Sequence, residues 1–261
     1  MKLNLPLWIA AMGLMIISSG ASATVLQDNY VGSNSHGYGD VIANSGVTMF
    51  NVDSLGSTLN GTRLTVTIYT NFAGNAGVDS RYTTNNTGIG YGDLFLSTGW
   101  TPSGSNPYTT DNAANGNHWT YAFSLDNPLS NAGGKGTVYA LGAGTASNHN
   151  PDVLLSDHFI DCGSHCIYRN GQAVAVNKSL ATATNTTGTW TVGNGFLSFS
   201  FDTLGLNLDT NDLGFHWTMY CGNDVIEGQD APTQVPEPSS VYIFLLGLAL
   251  VGVGVMRRRR V

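Results

Sequence analysis

RLTVTIYT, residues 63–70, alternates apolar and polar side chains with a period of two. Leu64, Val66 and Ile68 then face one side of a strand, and the threonines between them face the other. The same alternation returns further along the chain in WTYAFSL (119–125), FLSFSFD (196–202) and FHWTMYC (215–221).

Turns rich in Gly and Asn separate these strands, and the one short stretch that suits a helix is residues 151–159. An alternating strand has one solvated face, which antiparallel sheets tolerate and parallel sheets rarely do. The sequence therefore predicts an all-β fold, an antiparallel β-sandwich or jelly-roll-like ectodomain.

The charge of this region limits its partners. Between residues 24 and 235, five basic and sixteen acidic residues give a net charge of −11, and Glu227 is the only glutamate. This charge repels nucleic-acid phosphates and anionic lipid, so neither is an expected partner, whereas cations and neutral sugars are compatible with it. The many aromatic residues indicate a folded chain rather than a disordered one.

The N-terminus has the pattern of a secretory signal peptide. Lys2 precedes an uncharged apolar run, and Ala21 and Ala23 occupy the small-residue positions of a cleavage site. We expect export by the Sec machinery and cleavage after Ala23. The predicted organisation is a signal peptide at 1–23, a β-sandwich ectodomain at 24–231 and a C-terminal segment at 232–261.

Chemically reactive residue types are densest in DHFIDCGSHCIYRNG, residues 157–171. Because disulfides persist after export, we expect Cys162 and Cys166 to form one. A bridge from Cys221 to one of them, free thiols and a metal site stay open as alternatives. Cys221 ends the apolar face of its strand, and a buried, inert thiol is the favoured interpretation there.

A short internal echo is the best candidate for a cation site. GYGDVIA at 37–43 returns as GYGDLFL at 90–96, and each copy is a turn that leads into a strand. Two similar turns explain the echo. Alternatively, Asp40 and Asp93 supply oxygen ligands to a structural cation, and calcium is the only cofactor that the sequence suggests.

Signatures of enzymes are absent from the sequence. It contains no G-x-S-x-G elbow, no H-E-x-x-H motif and no P-loop. The sixteen acids do not single out a glycosidase pair. Trp100 and Tyr108 are candidates for stacking on sugars, with packing as the alternative. We therefore expect a protein that is not an enzyme.

The C-terminus reads VPEPSSVYIFLLGLALVGVGVMRRRR, residues 235–260. Its apolar run, 241–256, is just long enough for a short transmembrane helix. The arginines after this run favour the cytoplasmic side, which places the acidic domain outside. They are Arg257, Arg258, Arg259 and Arg260.

This order of a Pro-Glu-Pro motif, an apolar span and an arginine cluster resembles the PEP-CTERM sorting signal of Gram-negative bacteria. The resemblance implies that exosortase, a membrane-embedded protease, recognises Pro236, Glu237 and Pro238 and removes the span. It also implies that the C-terminal helix anchors the protein transiently in the membrane, and that the processed protein then resides at the cell surface or in the extracellular matrix. Proteins with this signal are associated with exopolysaccharide or biofilm.

The preceding domain resembles a group of exosortase-dependent surface proteins. Three stretches carry this resemblance, and it implies no ligand or activity. They are GYGDLFLSTGWTP (90–102), YRNGQAVAVN (168–177) and HWTMYCGNDVIEG (216–228).

Three functions fit the sequence. The first is a non-enzymatic surface or matrix protein that exosortase processes. The second is a carbohydrate-binding, lectin-like module that uses aromatic faces and, in one version, a cation. The third, a secreted hydrolase, has the least support.

Overall fold

The computed structural model describes residues 25–32, 48–142, 150–161, 168–169 and 171–235. Strands dominate these residues, with one turn of α-helix, α1 (Ser156–Phe159), and two 3-10 helices, Ser80–Tyr82 and Thr84–Asn86. The strands are β1 (Val25–Gln27), β2 (Val52–Asn60), β3 (Arg63–Thr70), β4 (Leu94–Thr98), β5 (Tyr121–Leu125), β6 (Gly134–Ala140), β7 (Val153–Leu155), β8 (Ala173–Val176), β9 (Thr182–Gly193), β10 (Phe196–Asp202), β11 (Leu213–Thr218), β12 (Val225–Asp230) and β13 (Thr233–Gln234).

Eleven of the described strands form one curled sheet. Its order is β1-β2-β3-β10-β9-β6-β5-β4-β11-β12, and every neighbouring pair on this path is antiparallel. The two ends of the path approach each other, because Leu26 of β1 packs against Gly228 of β12. β13 adds a short parallel pairing to β2. The sheet is therefore nearly closed.

The interior of this sheet is the main hydrophobic core. The alternating residues predicted from RLTVTIYT and FLSFSFD point into it, and Leu64, Val66, Phe199 and Phe201 are fully buried. The Phe123 ring stacks on Phe201 at 5.1 Å between centroids. Strand alternation thus delivers one continuous apolar interior.

A second layer covers part of the outer face of the sheet. We call it the cap, and it consists of residues 99–119 and the hairpin that β7 and β8 form. Trp119 and Val176 of the cap pack against Phe95 of β4 in a smaller core between the cap and the sheet. β4 and β11 are consequently buried on both faces.

The two ends of the sheet carry different groups of turns. The exit end contains the β2–β3 turn and β13, where the described chain stops at Val235. The opposite end contains the β5–β6 turn, with Pro128, and the β11–β12 turn, with Tyr220. Strand order and register place these two groups of turns at opposite ends of the strands.

The prediction of an all-β, antiparallel fold is confirmed. Eleven of the thirteen described strands form one nearly closed sheet, and β7 and β8 form a separate pair, instead of the two packed sheets of the predicted β-sandwich. The helix suggested at 151–159 is reduced to the single turn α1 after β7. Within the described ranges, no helix is long and apolar enough to cross a membrane. The predicted signal peptide and the span at 241–256 lie outside those ranges.

Candidate functional site

Most residues that the sequence singled out lie outside the described residues. This applies to the cysteine pair, one aspartate of the echo, the signal cleavage site, the sorting motif and the arginine cluster. They are Cys162, Cys166, Asp40, Ala21, Ala23, Pro236, Glu237, Pro238 and Arg257–Arg260. Their predicted roles stay predictions.

Asp93 is buried where β4 meets the cap. Its Oδ1 accepts a hydrogen bond from Leu125 N at 2.9 Å, and its Oδ2 accepts one from Val176 N at 2.8 Å. Burial raises the pKa of this carboxyl to about 6, against the opposing effect of those two hydrogen bonds. The side chain therefore joins β5 to β8. Across the described part of the chain, no three His, Cys, Asp or Glu residues are grouped to hold a metal ion.

Cys221 is a free, fully buried thiol at the end of the apolar face that the sequence predicted for it. Burial raises the pKa of this thiol to about 12. A thiol that does not ionise near neutral pH is a poor nucleophile and a poor metal ligand. Its place in the main core thus gives Cys221 a packing role.

Trp100 and Tyr108, the predicted sugar-stacking aromatics, pack on each other in the cap. Their rings meet edge to face at 5.0 Å between centroids, and both side chains are half-buried. The Trp100 indole Nε1 donates a hydrogen bond to Glu227 Oε1 at 2.8 Å. The indole is therefore held against β12 rather than presented to solvent as a flat surface.

Glu227 belongs to a buried polar network beneath the cap. Its Oε2 lies 2.6 Å from His216 Nδ1 on the neighbouring strand, and His216 Nε2 lies 2.7 Å from the carbonyl oxygen of Ala173. Because a carbonyl only accepts, Nε2 carries a hydrogen, and the short Nδ1–Oε2 contact needs a second proton between its two atoms. The network thus ties β11 and β12 to β8 of the cap.

Asp111 and Tyr30 extend this network toward the N-terminal segment. The Tyr30 hydroxyl donates to Asp111 Oδ2 at 2.7 Å, and Ser103 N donates to Asp111 Oδ1 at 2.7 Å. Burial, and after it the charge of Glu227, raise the pKa of Asp111 to about 6. Burial also raises the pKa of Tyr30. Burial and the neighbouring Glu227 thus make the Asp111 carboxyl harder to ionise than an exposed one.

These side chains form a closed clamp, since the exposed fraction is 1% for Tyr30, Asp111 and His216 and 4% for Glu227. The sequence reasoning did not find them. Two features of the sequence could have indicated them. Glu227 is the only glutamate between residues 24 and 235, and Trp100, His216 and Glu227 all lie in the stretches that carry the family resemblance.

An open groove lies at the end of the sheet opposite to the exit end. It has a volume of about 390 Å³, within the size range of small-ligand sites. We call it the distal groove. Its lining combines two aromatic rings with an amide, hydroxyls and an imidazole: Thr84, Asn85, Thr87, Pro128, Leu129, His158, Phe159 and Tyr220.

Backbone hydrogen bonds fix two lining residues of the distal groove, Tyr220 and Pro128, to the segment that leads into β4. Tyr220 N donates to the carbonyl oxygen of Gly90 at 2.9 Å, and Tyr91 N donates to that of Pro128 at 2.9 Å. The Phe159 ring stacks on the Tyr220 ring at 4.0 Å between centroids. The aromatic wall is therefore preformed.

A second set of bonds fixes the polar wall. Thr84 Oγ1 donates to the carbonyl oxygen of His158 at 3.2 Å, and Thr83 pairs with Ile160 in an isolated β-bridge. The 3-10 helix that bears Asn85 is thereby joined to α1. Both walls are built from turns that the sheet supports, and sequence reasoning missed them because they come from four distant segments.

The described chain ends at the other end of the sheet. Thr233 pairs with Thr58, Gln234 pairs with Leu59, and Val235 N donates to the carbonyl oxygen of Leu59 at 2.9 Å. The next residue, Pro236, has no N–H to continue such a ladder. The folded sheet thus extends to the residue that precedes the Pro-Glu-Pro motif.

Comparison with known proteins identifies the tail. Residues 234–260 match the family described as the PEP-CTERM protein-sorting motif. Comparison with curated proteins and with solved structures gave no significant match. The matched motif implies export, a membrane-anchored C-terminal sorting signal and processing by exosortase. The chain is therefore a PEP-CTERM sorting domain-containing protein, directed by exosortase toward the cell surface.

Proposed function

We propose that this chain is a non-enzymatic surface or matrix protein that accompanies exopolysaccharide or biofilm. The observation that carries the proposal is the junction at Val235, where a folded β domain directly adjoins a sorting motif. Such a junction suits a protein whose domain is the delivered cargo. The Sec machinery and exosortase are the partners that deliver it.

The acidic residues of the network support a role other than hydrolysis. A glycoside hydrolase needs two carboxyl groups that flank an open cleft. Asp111 and Glu227 are close enough to interact electrostatically, but both are buried, Asp111 within the cap and Glu227 on the strand that the cap covers. Their contacts are those of a clamp, which is why we favour a non-enzymatic role over a secreted hydrolase.

Mass spectrometry of the protein from cells with and without exosortase tests the delivery. We expect the mature protein to begin at Thr24 and to end near Pro236, and the tail to remain in cells that lack exosortase. Glu237→Ala, which alters the sorting motif alone, should also leave the tail in place in cells that have exosortase. An intact tail on the wild-type protein in those cells contradicts the proposal.

Deletion of the gene tests the role in the matrix. We expect altered biofilm, floc or surface texture without the loss of a hydrolytic activity, and rescue by the wild-type chain. An unchanged matrix contradicts the proposed association.

Carbohydrate binding is the second candidate function, and the distal groove is the observation that favours it. Aromatic rings beside hydroxyl and amide groups suit the apolar faces and hydroxyls of a sugar. A glycan array probed with the mature protein, with and without a chelator, tests both the binding and its dependence on a cation. The absence of binding in both buffers contradicts this candidate.

A further inference from the structure

We propose that the distal groove binds a neutral sugar residue of a polysaccharide, with Phe159 as the stacking surface and Asn85 as the hydrogen-bonding group. This inference rests on the proposed carbohydrate-binding function and names its site and ligand class. Phe159 and Asn85 lie on separate segments, α1 and the second 3-10 helix, and both line the groove.

Preorganisation is the first argument for this site. The Tyr220 ring stacks on Phe159 and also lies close to Gly90. A methyl group added at Gly90 would overlap the Tyr220 ring. The stacked rings therefore cannot turn freely, and a ligand that lies on them loses little entropy in ordering the protein. Thr84 holds the facing wall through its bond to His158.

The chemistry of the lining is the second argument, and it selects the ligand class. Among the described residues, no carboxylate, lysine or arginine lines the groove, and His158 is its one imidazole. An acidic sugar would find no fixed cation in this lining, and the net charge of −11 between residues 24 and 235 repels it. A neutral sugar meets hydroxyls and an amide without that penalty.

The backbone at Asn85 and Asn86 provides a matched pair of positions for testing the groove. Asn85 has φ 67° and Asn86 has φ 54°, both in the left-handed region that glycine adopts most easily. Asparagine is among the few residues with a side chain that tolerate this region. Both asparagines are exposed, but Asn85 alone of the two lines the groove.

This pair of asparagines gives a matched experiment. Mature protein purified from exosortase-competent cells is screened against neutral oligosaccharides of glucose, galactose, mannose and N-acetylglucosamine, and against oligogalacturonate. For the tightest neutral ligand, Asn85→Gly should weaken binding about tenfold, the effect of one or two lost hydrogen bonds. Asn86→Gly should leave the affinity unchanged. Glycine suits both backbone conformations, so neither variant should lose thermal stability.

The stacking surface is tested by Phe159→Leu, which keeps an apolar side chain but removes the ring. We expect a loss of affinity of about tenfold or more. Tyr69→Leu removes an exposed ring on the outer face of β3 and should have no effect. Three results would each overturn the proposal. The protein could bind oligogalacturonate only, it could bind none of the neutral oligosaccharides, or the groove variants and the control variants could lose the same affinity.

The same variants separate this proposal from the proposed surface function. Cells that express Asn85→Gly should still process and display the protein. If the gene deletion alters the matrix but no neutral sugar binds the groove, the surface role stands and the groove assignment fails. If the protein is neither processed nor displayed, the surface role fails independently of the binding assay.

Discussion

His216 Nδ1 lies 2.6 Å from Glu227 Oε2 between neighbouring strands β11 and β12, and both residues are almost completely buried. The other ring nitrogen of His216 reaches Ala173 in the cap. One side-chain pair thus connects the sheet to the layer that covers it. Removing either member of such a buried pair is costly in stability, because water cannot reach the remaining polar group to replace the lost hydrogen bond.

Glu227→Ala should therefore lower the free energy of unfolding by about 3–5 kcal/mol. The variant leaves His216 Nδ1 and Trp100 Nε1 without their acceptor in a dry site. Urea denaturation measures the change. Gln229→Ala, at an exposed position two residues along the same strand, should cost less than about 0.5 kcal/mol. Equal effects of the two variants would show that the clamp contributes nothing.

Asp111 should make stability depend on pH. The pKa of its carboxyl is about 6 in the folded protein and about 3.9 in an unfolded chain, so the folded state keeps the proton to a higher pH. Its contribution is complete below about pH 4 and is lost as the pH rises through about 6. The free energy of unfolding of wild type relative to Asp111→Asn should fall by on the order of 2–3 kcal/mol between those limits. Parallel pH profiles of the two proteins would contradict this.

Asp93→Asn should destabilise the fold by about 1–3 kcal/mol, whether or not calcium is present. An amide offers a single oxygen, so either Leu125 N or Val176 N loses its acceptor. Thermal unfolding in calcium and in chelator measures the effect, with the exposed Asp126→Asn as control. A loss of stability seen only in calcium would instead identify Asp93 as a ligand of that ion.

Gly136→Ala and Gly188→Ala should each cost about 1–3 kcal/mol or more, the range of an overpacked core. These glycines face each other across β6 and β9, and an added methyl group would overlap the Phe123 ring at both positions. Gly56→Ala on β2 is the control, because nothing lies within 4 Å of its added methyl group. Chemical denaturation of the three variants measures the contrast, and similar costs at all three sites would refute it.

Cys221 should resist alkylation in the folded protein. Burial keeps reagents out, and a thiol with a pKa of about 12 has almost no thiolate near neutral pH. Iodoacetamide followed by mass spectrometry should label Cys221 only after denaturation. Rapid labelling of the native protein at this residue would show that the end of β11 opens readily. The same spectra report whether Cys162 and Cys166 are joined, as the sequence predicts.

The strands could be predicted because side-chain alternation is a local signal. Leu64, Val66 and Phe199 lie inside the sheet as their spacing indicates. Trp119 is an exception. Its spacing grouped it with Phe123, but β5 begins only at Tyr121, and Trp119 is the last residue of the cap segment and packs in the smaller core. Periodicity applies only where the strand conformation itself persists.

The buried network and the distal groove could not be predicted in this way. His216 falls on the face that alternation assigns to solvent, and only the cap makes that face buried. Trp100 and Glu227 are 127 residues apart, and Tyr30 and Asp111 are 81 apart. Such contacts depend on how a sheet curls and on which segment covers it, and neither property has a short-range pattern.

The placement of groove and exit at opposite ends of the strands has a mechanical consequence. If the distal groove binds a polysaccharide as proposed, and the protein is attached to the cell near Val235, tension between them would run along the strands. Ladder hydrogen bonds lie perpendicular to antiparallel strands, so such tension shears many bonds together instead of opening them singly. β13 has only two residues paired with β2 and would detach first. The force would then act on the six residue pairs between β11 and β12.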